Sequence, residues 1–541
     1  MLIEEKLKIC LKEALLKMNV DIDVSKIVIE RSKEKVHGDY ASNVAMQMAR
    51  ELKKNPMLIA EEIVANLKSD DFNKVEIARP GFINFFLKSE ALSSIIKNII
   101  DNGDNYGNSN YGENKKLNVE FVSSNPTGDL HLGHARGAAI GDCICRLYSK
   151  IGYDVTREFY VNDAGNQINV LGRSVRARYH QIFGDNIEVP EDGYHAPELI
   201  KIAEIMKNEI GDKYLVDSDE SETYFKRRGA ELELDKLNTD LKNFRVNFDI
   251  FSFETDIRAN NGVERVLEGA KEYIYENEGA TFLKTTAFKD DKDRVIIKSD
   301  GSYTYLLPDI AYHLDKLDRG FTQLIDVLGA DHHGYIDRMK SSLEMFGHKR
   351  DILEIELIQM VRLFKDGAEY KMSKRTGNAI AMRELCEEVG VDAVRYFFVN
   401  RAASAHLDFD LDLAKESSSA NPVYYAQYAY ARLFNVLQNG SDIELNINGN
   451  GLNDPKEIDL MKHLSSYAKE VLDAALTRSP YKVTVYIQKL ASLIHGFYTE
   501  CRLLDRNNLE LTASRLALCK ASMIVLKNAL NLIGVEAPEK M

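Results

Sequence analysis

Residues 117–161 constrain the fold more than any other stretch. They read LNVEFVSS, then NPTGDLHLGH, then the small-residue run ARGAAIGDCICRLYSK, and after Gly152 the strand-like VTREFYV. The first segment alternates as a strand does, the second is a turn, the third is a helix ending near Lys150, and the last is a strand again. Strand, turn, helix and strand form a βαβ unit, which implies a parallel sheet. At 541 residues the chain is too long for one comfortable core, so this sheet belongs to one of several domains.

The remaining chain divides around it. Before the unit, DNGDNYGNSNYGENKK (residues 101–116) is rich in Asn and Gly and reads as a linker. Residues 1–110 form an α+β module with a helix, HGDYASNVAMQMAR and the strand-like KVEIARPGFINFFLK. Residues 114–415 form the parallel α/β domain. It is interrupted by a mostly helical stretch over 166–264, and sheet-like segments resume at GATFLKT, DRVIIKS and TQLIDVLGA. Residues 416–541 are all-helical in pattern, with a polar break at 438–457. The expected fold class is α/β, a Rossmann-type parallel-sheet domain with insertions, flanked by an N-terminal α+β module and a C-terminal helical domain.

Composition excludes some classes. No apolar run reaches bilayer length, and MLIEEKLKICLKEALLK patterns as an amphipathic first helix rather than a signal peptide. Six scattered cysteines without a CxxC pair suit free thiols in a reducing cytoplasm and offer no zinc-knuckle spacing. The net charge of −14 argues against coating nucleic acid by bulk attraction. Residues 421–541, with thirteen basic and twelve acidic side chains, are balanced, so local phosphate contacts stay open there.

The turn SSNPTGDLHLGH lies where a parallel sheet binds ligands, beyond the carboxyl end of a strand and at a helix N-terminus. Gly133 allows close approach, and Ala135, Gly137, Ala138 and Ala139 keep the helix start clear. Unpaired N–H groups and the positive dipole end suit phosphate, and imidazoles at His131 and His134 donate to phosphate oxygens without a permanent charge. Zinc fits less well: the nearby Cys143 and Cys145 fall inside the helix, and no HExxH is present. A second basic motif, EYKMSKRTGNAI, follows LEIELIQMVRLF and a KDGAE turn. Lys371 and Lys374 there suit a pyrophosphate leaving group.

Together, HLGH and KMSKR resemble the HIGH and KMSKS signatures of class I aminoacyl-tRNA synthetases, with Arg375 in place of the final serine. EFYVNDAGNQ, YLLPDIAYHLDK, LGADHHGY, GVDAVRYFF and IGVEAPEKM extend the resemblance over nearly the whole chain, to the arginyl-tRNA synthetases within that class. The resemblance implies an arginine–tRNA ligase that uses ATP with Mg2+ and no zinc. It implies L-arginine and tRNA(Arg) as further substrates, and a cytoplasmic monomer without a membrane partner. The implied signature residues run Ser124, Asn125, Pro126, Thr127, Gly128, Asp129, Leu130, His131, Leu132, Gly133 and His134.

Catalysis is implied for His131, His134, Lys371 and Lys374. The arginine site is implied to use Ser123, Asn125, His131, Glu254, Tyr305, Asp309 and His333. ATP is implied to meet Gly133, His134, Gly329, Asp331, His332, Met372 and Lys374, and tRNA to meet Asn84, Phe86, Tyr424 and Tyr428. Carboxylates suit a planar guanidinium, and the four-residue spacing of Tyr305 and Asp309 puts both on one face of a helical turn. Three rival classes share single features. The first is a metal-dependent phosphoesterase built on Asp331-His332-His333, which lacks companion aspartate motifs. The second is a small-molecule nucleotidylyltransferase, which needs no C-terminal helical domain. The third is a nonenzymatic RNA binder, which leaves both signatures without a purpose.

Overall fold

A five-stranded parallel sheet carries the site. The computed structural model describes residues 3–32, 34–68, 71–370 and 380–541. Across the sheet the strands run Leu353–Ile358, Gln323–Gly329, Lys116–Phe121, Asp154–Val161 and Ile250–Phe253, every neighbouring pair parallel. The first strand in sequence is central. The chain builds outward on one side, then returns to build on the other, so a topological switch point opens beside the end of Lys116–Phe121. The helix Leu132–Lys150 covers this region, and at Gly141 a Cβ would stand 2.4 Å from the Phe121 ring, so glycine sets how closely helix and sheet pack.

Two insertions stand off the sheet. Helices Asn166–Ile182, Glu198–Ile210 and Asp219–Asn243 close a satellite core around Leu171, Val175, Tyr179 and Phe225. Within the stretch read as helical, IFSF is instead the edge strand Ile250–Phe253. All four of its residues are only partly buried, so neither alternation nor a fully apolar run marked it. GATFLKT and DRVIIKS do form strands, but in a separate antiparallel sheet ordered Arg294–Ile297, Ala280–Leu283, Ile274–Asn277. LEIELIQMVRLF splits at Gln359 and Met360 into Leu353–Ile358 of the main sheet and Val361–Lys365 of a third sheet. There Val361–Lys365 pairs in parallel with Leu407–Asp410, a short strand near the end of the α/β domain.

The N-terminal module is a four-stranded antiparallel sheet, Ile29–Arg31, Tyr40–Ser42, Phe82–Leu87 and Phe72–Ala78 in order, with helices Ile3–Lys17, Val44–Leu52 and Pro56–Asn66. The C-terminal region packs Pro422–Asn439, Pro455–Ser465, Tyr467–Leu476, Tyr481–Glu500 and Leu509–Leu532. The first two of these helices begin with a side-chain cap followed by proline. Asn421 Oδ1 accepts from Val423 N at 3.0 Å and Asp454 Oδ1 from Lys456 N at 2.8 Å, which fixes both starts.

Candidate active site

At the switch point the backbone turns sharply. Val122 and Ser123 take φ of 70° and 38°, a region costly for a β-branched residue and held here by its surroundings. The Ser123 hydroxyl donates to Glu120 Oε1 at 2.9 Å and accepts from Tyr160 N at 3.1 Å, tying the ends of two strands together. Asn125 Nδ2 donates to Gln167 Oε1 at 2.7 Å, on the first helix of the insertion. Asp129 faces Lys236 at 3.1 Å and Arg383 at 3.8 Å, so this signature residue joins turn to insertion.

His131 caps the signature helix. Its Nδ1 accepts from Gly133 N at 3.1 Å and His134 N at 3.3 Å. The expectation that these N–H groups are free for phosphate is therefore corrected: the imidazole has taken two of them. Because Nδ1 is an acceptor, the His131 proton sits on Nε2, leaving one outward N–H donor. A Cβ on Gly133 would lie 2.9 Å from the His131 ring, so glycine is needed for the cap itself. The two imidazoles stack, centroids 3.6 Å apart and planes 16° from parallel. Burial lowers the His131 pKa and, with His131 beside it, takes His134 down to about 4. Both rings are neutral at neutral pH. The chain after residue 379 returns to this point, with Ala381 bridged to His131 and Met382 N donating to Leu130 O at 2.7 Å. Lys371, Met372 and Lys374 lie outside the described residues.

The other end of the crevice is built from charge. Glu158, Glu120 and Asp326 are register partners across three adjacent strands, a row of three buried carboxylates. Like charges side by side are unfavourable unless cations intervene. The cations come from one helix, Leu306–Asp318, and from Arg319 at its end. Lys316, fully buried, donates to Glu120 at 2.6 Å and Asp326 at 3.2 Å. His313 faces Asp326 Oδ2 with Nε2 and the Asp309 carbonyl with Nδ1, each at 2.8 Å. Two acceptors require two protons, and although burial opposes its charge, Asp326 raises the His313 pKa. Arg319 Nη2 donates to both Glu158 oxygens at 2.8 and 3.0 Å, and Asn118, Ser252 and Tyr312 complete that carboxylate's partners.

Asp309 stands one turn before His313 and is partly exposed. Burial, then the nearby Glu120 and Glu254, outweigh His313 and raise its carboxyl to about 7. Glu254 is 3% exposed, close enough to the Tyr160 hydroxyl to help raise that group's pKa after burial. The structure thus brings Asp309 and Glu254 together with Ser123, through Glu120. Tyr305 is different: it caps the same helix but is 79% exposed. Its backbone is already helical (φ −60°, ψ −27°) and its carbonyl accepts from Asp309 N at 3.2 Å, so the two residues lie one helical turn apart as their spacing predicts, Tyr305 at the exposed start and Asp309 nearer the core.

Gly329, Asp331, His332 and His333 form an exposed rim at the end of the adjacent strand. The expected RNA contacts divide by accessibility. Asn84 is buried on an interior strand between Ala41 and Glu76, whereas Phe86 is partly exposed with Lys74 Nζ 5.3 Å from its ring centroid. Tyr424 and Tyr428 stack at 5.8 Å on the C-terminal domain, and Arg432 lies over Tyr428 and, at 3.7 Å, over Tyr498. Tyr430 of the same helix is core.

Sequence reasoning missed the residues that position the signature helix. Arg136 is fully buried and donates to the carbonyls of Gln359, Ala402 and Ala405 at 2.8–2.9 Å, fixing the approach to Val361–Lys365. Arg395, also fully buried, joins Asp142 of that helix at 2.5 Å to the carbonyls of Phe244 and Ile533 at 3.0 Å. At Gly534, φ 68°, a Cβ would overlap the Arg395 guanidinium. The available signal was a lone arginine amid small or apolar residues, in HARGAAIG and in VDAVRYFF.

Comparison with known proteins agrees with this arrangement. Residues 95–433 match the family described as tRNA synthetases class I (R), catalytic domain. Residues 5–87 match the arginyl tRNA synthetase N terminal domain, and 426–541 the DALR anticodon binding domain. The arginine–tRNA ligases of Bacillus velezensis and Bacillus subtilis are each 50% identical to the chain, with full coverage of both sequences. The arginyl-tRNA synthetase structure from Thermus thermophilus superposes with a TM-score of 0.74 over all of both chains at 20% identity, a likeness of fold. The chain belongs to the arginine–tRNA ligase family of class I aminoacyl-tRNA synthetases.

Proposed function

We propose that the protein is an arginine–tRNA ligase that forms arginyl-adenylate from L-arginine and ATP and passes the arginyl group to tRNA(Arg). One observation carries this reading beyond family membership. The neutral imidazole pair stands at the helix start that follows the strand Lys116–Phe121, and Glu120 of that same strand lies close enough to Asp309 to add, with Glu254, to the rise in its pKa that burial begins. The arginine carboxylate attacks the α-phosphate, the bond to the β-phosphate breaks, and AMP leaves when the tRNA hydroxyl takes the acyl group. His131 and His134 stabilise charge developing on phosphate oxygen, which in such a site is the larger part of the barrier reduction. Lys371 and Lys374 neutralise the departing pyrophosphate, and Met372 lies against ATP. Magnesium, carried on the ATP phosphates, supplies further charge neutralisation there.

Asp309 and Glu254 hold the guanidinium, with Ser123, Asn125, His131 and His333 around the amino acid's remaining groups and Tyr305 at the pocket mouth. Gly329, Asp331 and His332 receive the nucleoside side of ATP. Residues 1–110 and 416–541 hold the tRNA. There Phe86 and the Tyr424–Tyr428 stack, with Arg432 beside it, suit contact with bases and phosphate. The reading includes a cytoplasmic monomer, which gel filtration tests; no described helix is long and apolar enough to cross a membrane. ATP consumption with each of the twenty amino acids, with and without tRNA, is the direct test. Turnover with arginine alone among them supports the proposal, and turnover with another amino acid refutes it.

A further inference from the structure

The helix Leu509–Leu532 ends against the catalytic domain. Gly534 takes φ 68°, Val535 N donates to Leu530 O and Gly534 N to Asn531 O, each at 3.0 Å, and Val535 is buried. This is a glycine-closed helix end, and it leaves carbonyl lone pairs open. Three arginines take them, each from a different catalytic-domain segment. Arg146 of the signature helix donates to Asn531 O at 3.1 Å and Arg395 of Val391–Val399 to Ile533 O at 3.0 Å. Arg245, just past the insertion helix Asp219–Asn243, donates to Gly534 O at 2.9 Å. Cations at the negative end of a helix are favourable.

The same arginines hold the signature helix. Arg395 Nη2 and Arg146 Nε converge on the buried Asp142 at 2.5 and 2.7 Å. Although burial opposes its charge, these two and Arg157 lower the Asp142 pKa. Arg146 also donates to Arg245 O at 3.3 Å. Arg245 pairs with Asp392 and, at 2.9 Å, with Glu536, whose N donates to Asp392 at 3.1 Å. Asp142 lies eight residues beyond His134, about 12 Å along the helix axis.

We propose that residues 531–536 are a positioning element for catalysis: through Arg395 and Arg146 they fix the axial position of the signature helix, and with it the placement of His131 and His134. The inference rests on the reading that the start of this helix stabilises charge developing on phosphate. Arg395 and Arg146 are positioning residues, acting on the reaction only through that helix. Buried ion pairs of this kind are a weak means of stabilising a fold. A displacement of about 1 Å at a reacting group, by contrast, costs roughly 100-fold in rate. Placement is therefore where this network has its effect.

Gly534→Ala tests this from outside the catalytic domain. The added Cβ would overlap the Arg395 guanidinium, which is fully buried and cannot yield without leaving Asp142. Alanine is also strained at this φ, so all variants are assayed at a temperature where circular dichroism shows them folded. In ATP–pyrophosphate exchange with tRNA present, kcat should fall about tenfold to 100-fold, while the arginine and ATP KM values hold. Arg395→Met is the companion. If Gly534→Ala acts by expelling Arg395, adding it to Arg395→Met should slow turnover little further, whereas separate structural losses multiply. A folded Gly534→Ala enzyme with the parent kcat overturns the positioning role, as do multiplying losses in the double variant. His134→Ala isolates the underlying reading. If it turns over at the parent rate, the helix start does no chemistry and the positioning role falls with that reading. If it is slow while Gly534→Ala is not, only the positioning role is lost.

Discussion

The two ends of the crevice reach their electrostatic states by opposite routes. At the phosphate end, two stacked imidazoles are kept neutral by burial, His134 also by the His131 beside it, and the helix start is capped by one of them. At the amino-acid end, three in-register carboxylates are held in the core by Lys316, His313 and Arg319. Asp309 lies near that row and near Glu254, with burial first and then Glu120, Glu254 and Asp326 all raising its pKa. The phosphate end needs directed donors for an anion that brings its own counterions. The amino-acid end needs a standing negative potential for a substrate that is a fixed cation. Burying the row has a large desolvation cost and is a poor way to stabilise a fold.

If the row depends on Lys316, Lys316→Met should have the largest effect. It leaves Glu120 and Asp326 buried without their shared cation and should cost about 3–5 kcal/mol, seen as earlier urea unfolding of the catalytic domain. Adding Asp326→Asn should recover a substantial part. A single variant as stable as the parent would show that the row is neutralised in another way. His134→Ala tests the opposite end. It should slow ATP–pyrophosphate exchange roughly 100-fold, about 3 kcal/mol, as loss of one transition-state donor does, while arginine binding changes little. Equal losses in rate and arginine affinity would mean the two ends are not separable. Asp309→Asn should do the reverse, raising the arginine KM by roughly 30-fold, about 2 kcal/mol, with the ATP KM nearly preserved. An unchanged arginine KM would remove Asp309 from the clamp.

The same contrast decides what could be read from the sequence. The phosphate end is contiguous: strand, turn, His131, His134 and helix lie within one βαβ unit, so pattern and place were visible together. The amino-acid end draws on five strands and helices distant in sequence. Asp309, His313 and Lys316 follow helical spacing i, i+4, i+7, which ordinarily marks a solvated face; here that face is buried because the sheet opposite is acidic. Glu120 and Asp326 sit inside the apolar strands LNVEFV and LIDVL. Each alone resembles an ordinary interruption, and only register shows them adjacent.

The smallest effect is a pH dependence that belongs to one end only. Asp309 ionises near 7 in the free protein, raised by burial and by Glu120 and Glu254 against the pull of His313. Its folded value exceeds its unfolded one, so its contribution to stability is present at low pH and is lost as pH rises through 7 in the absence of arginine. Arginine reverses this, because a guanidinium favours the carboxylate. Binding below pH 7 must then release a proton, and the arginine KM should fall by up to tenfold per pH unit as pH rises toward 7, then level off. His134, with its value near 4, does not titrate in this interval. His313, raised by Asp326, acts on stability with the same sign, its contribution lost as pH rises through its raised value because losing its proton adds repulsion within the row. Calorimetric titration of arginine at pH 6 in two buffers of different ionisation enthalpy measures the proton directly. The parent should release a substantial fraction of one proton, and Asp309→Asn should release almost none. Equal release by both would place the titrating group elsewhere and leave the two ends alike in their response to pH.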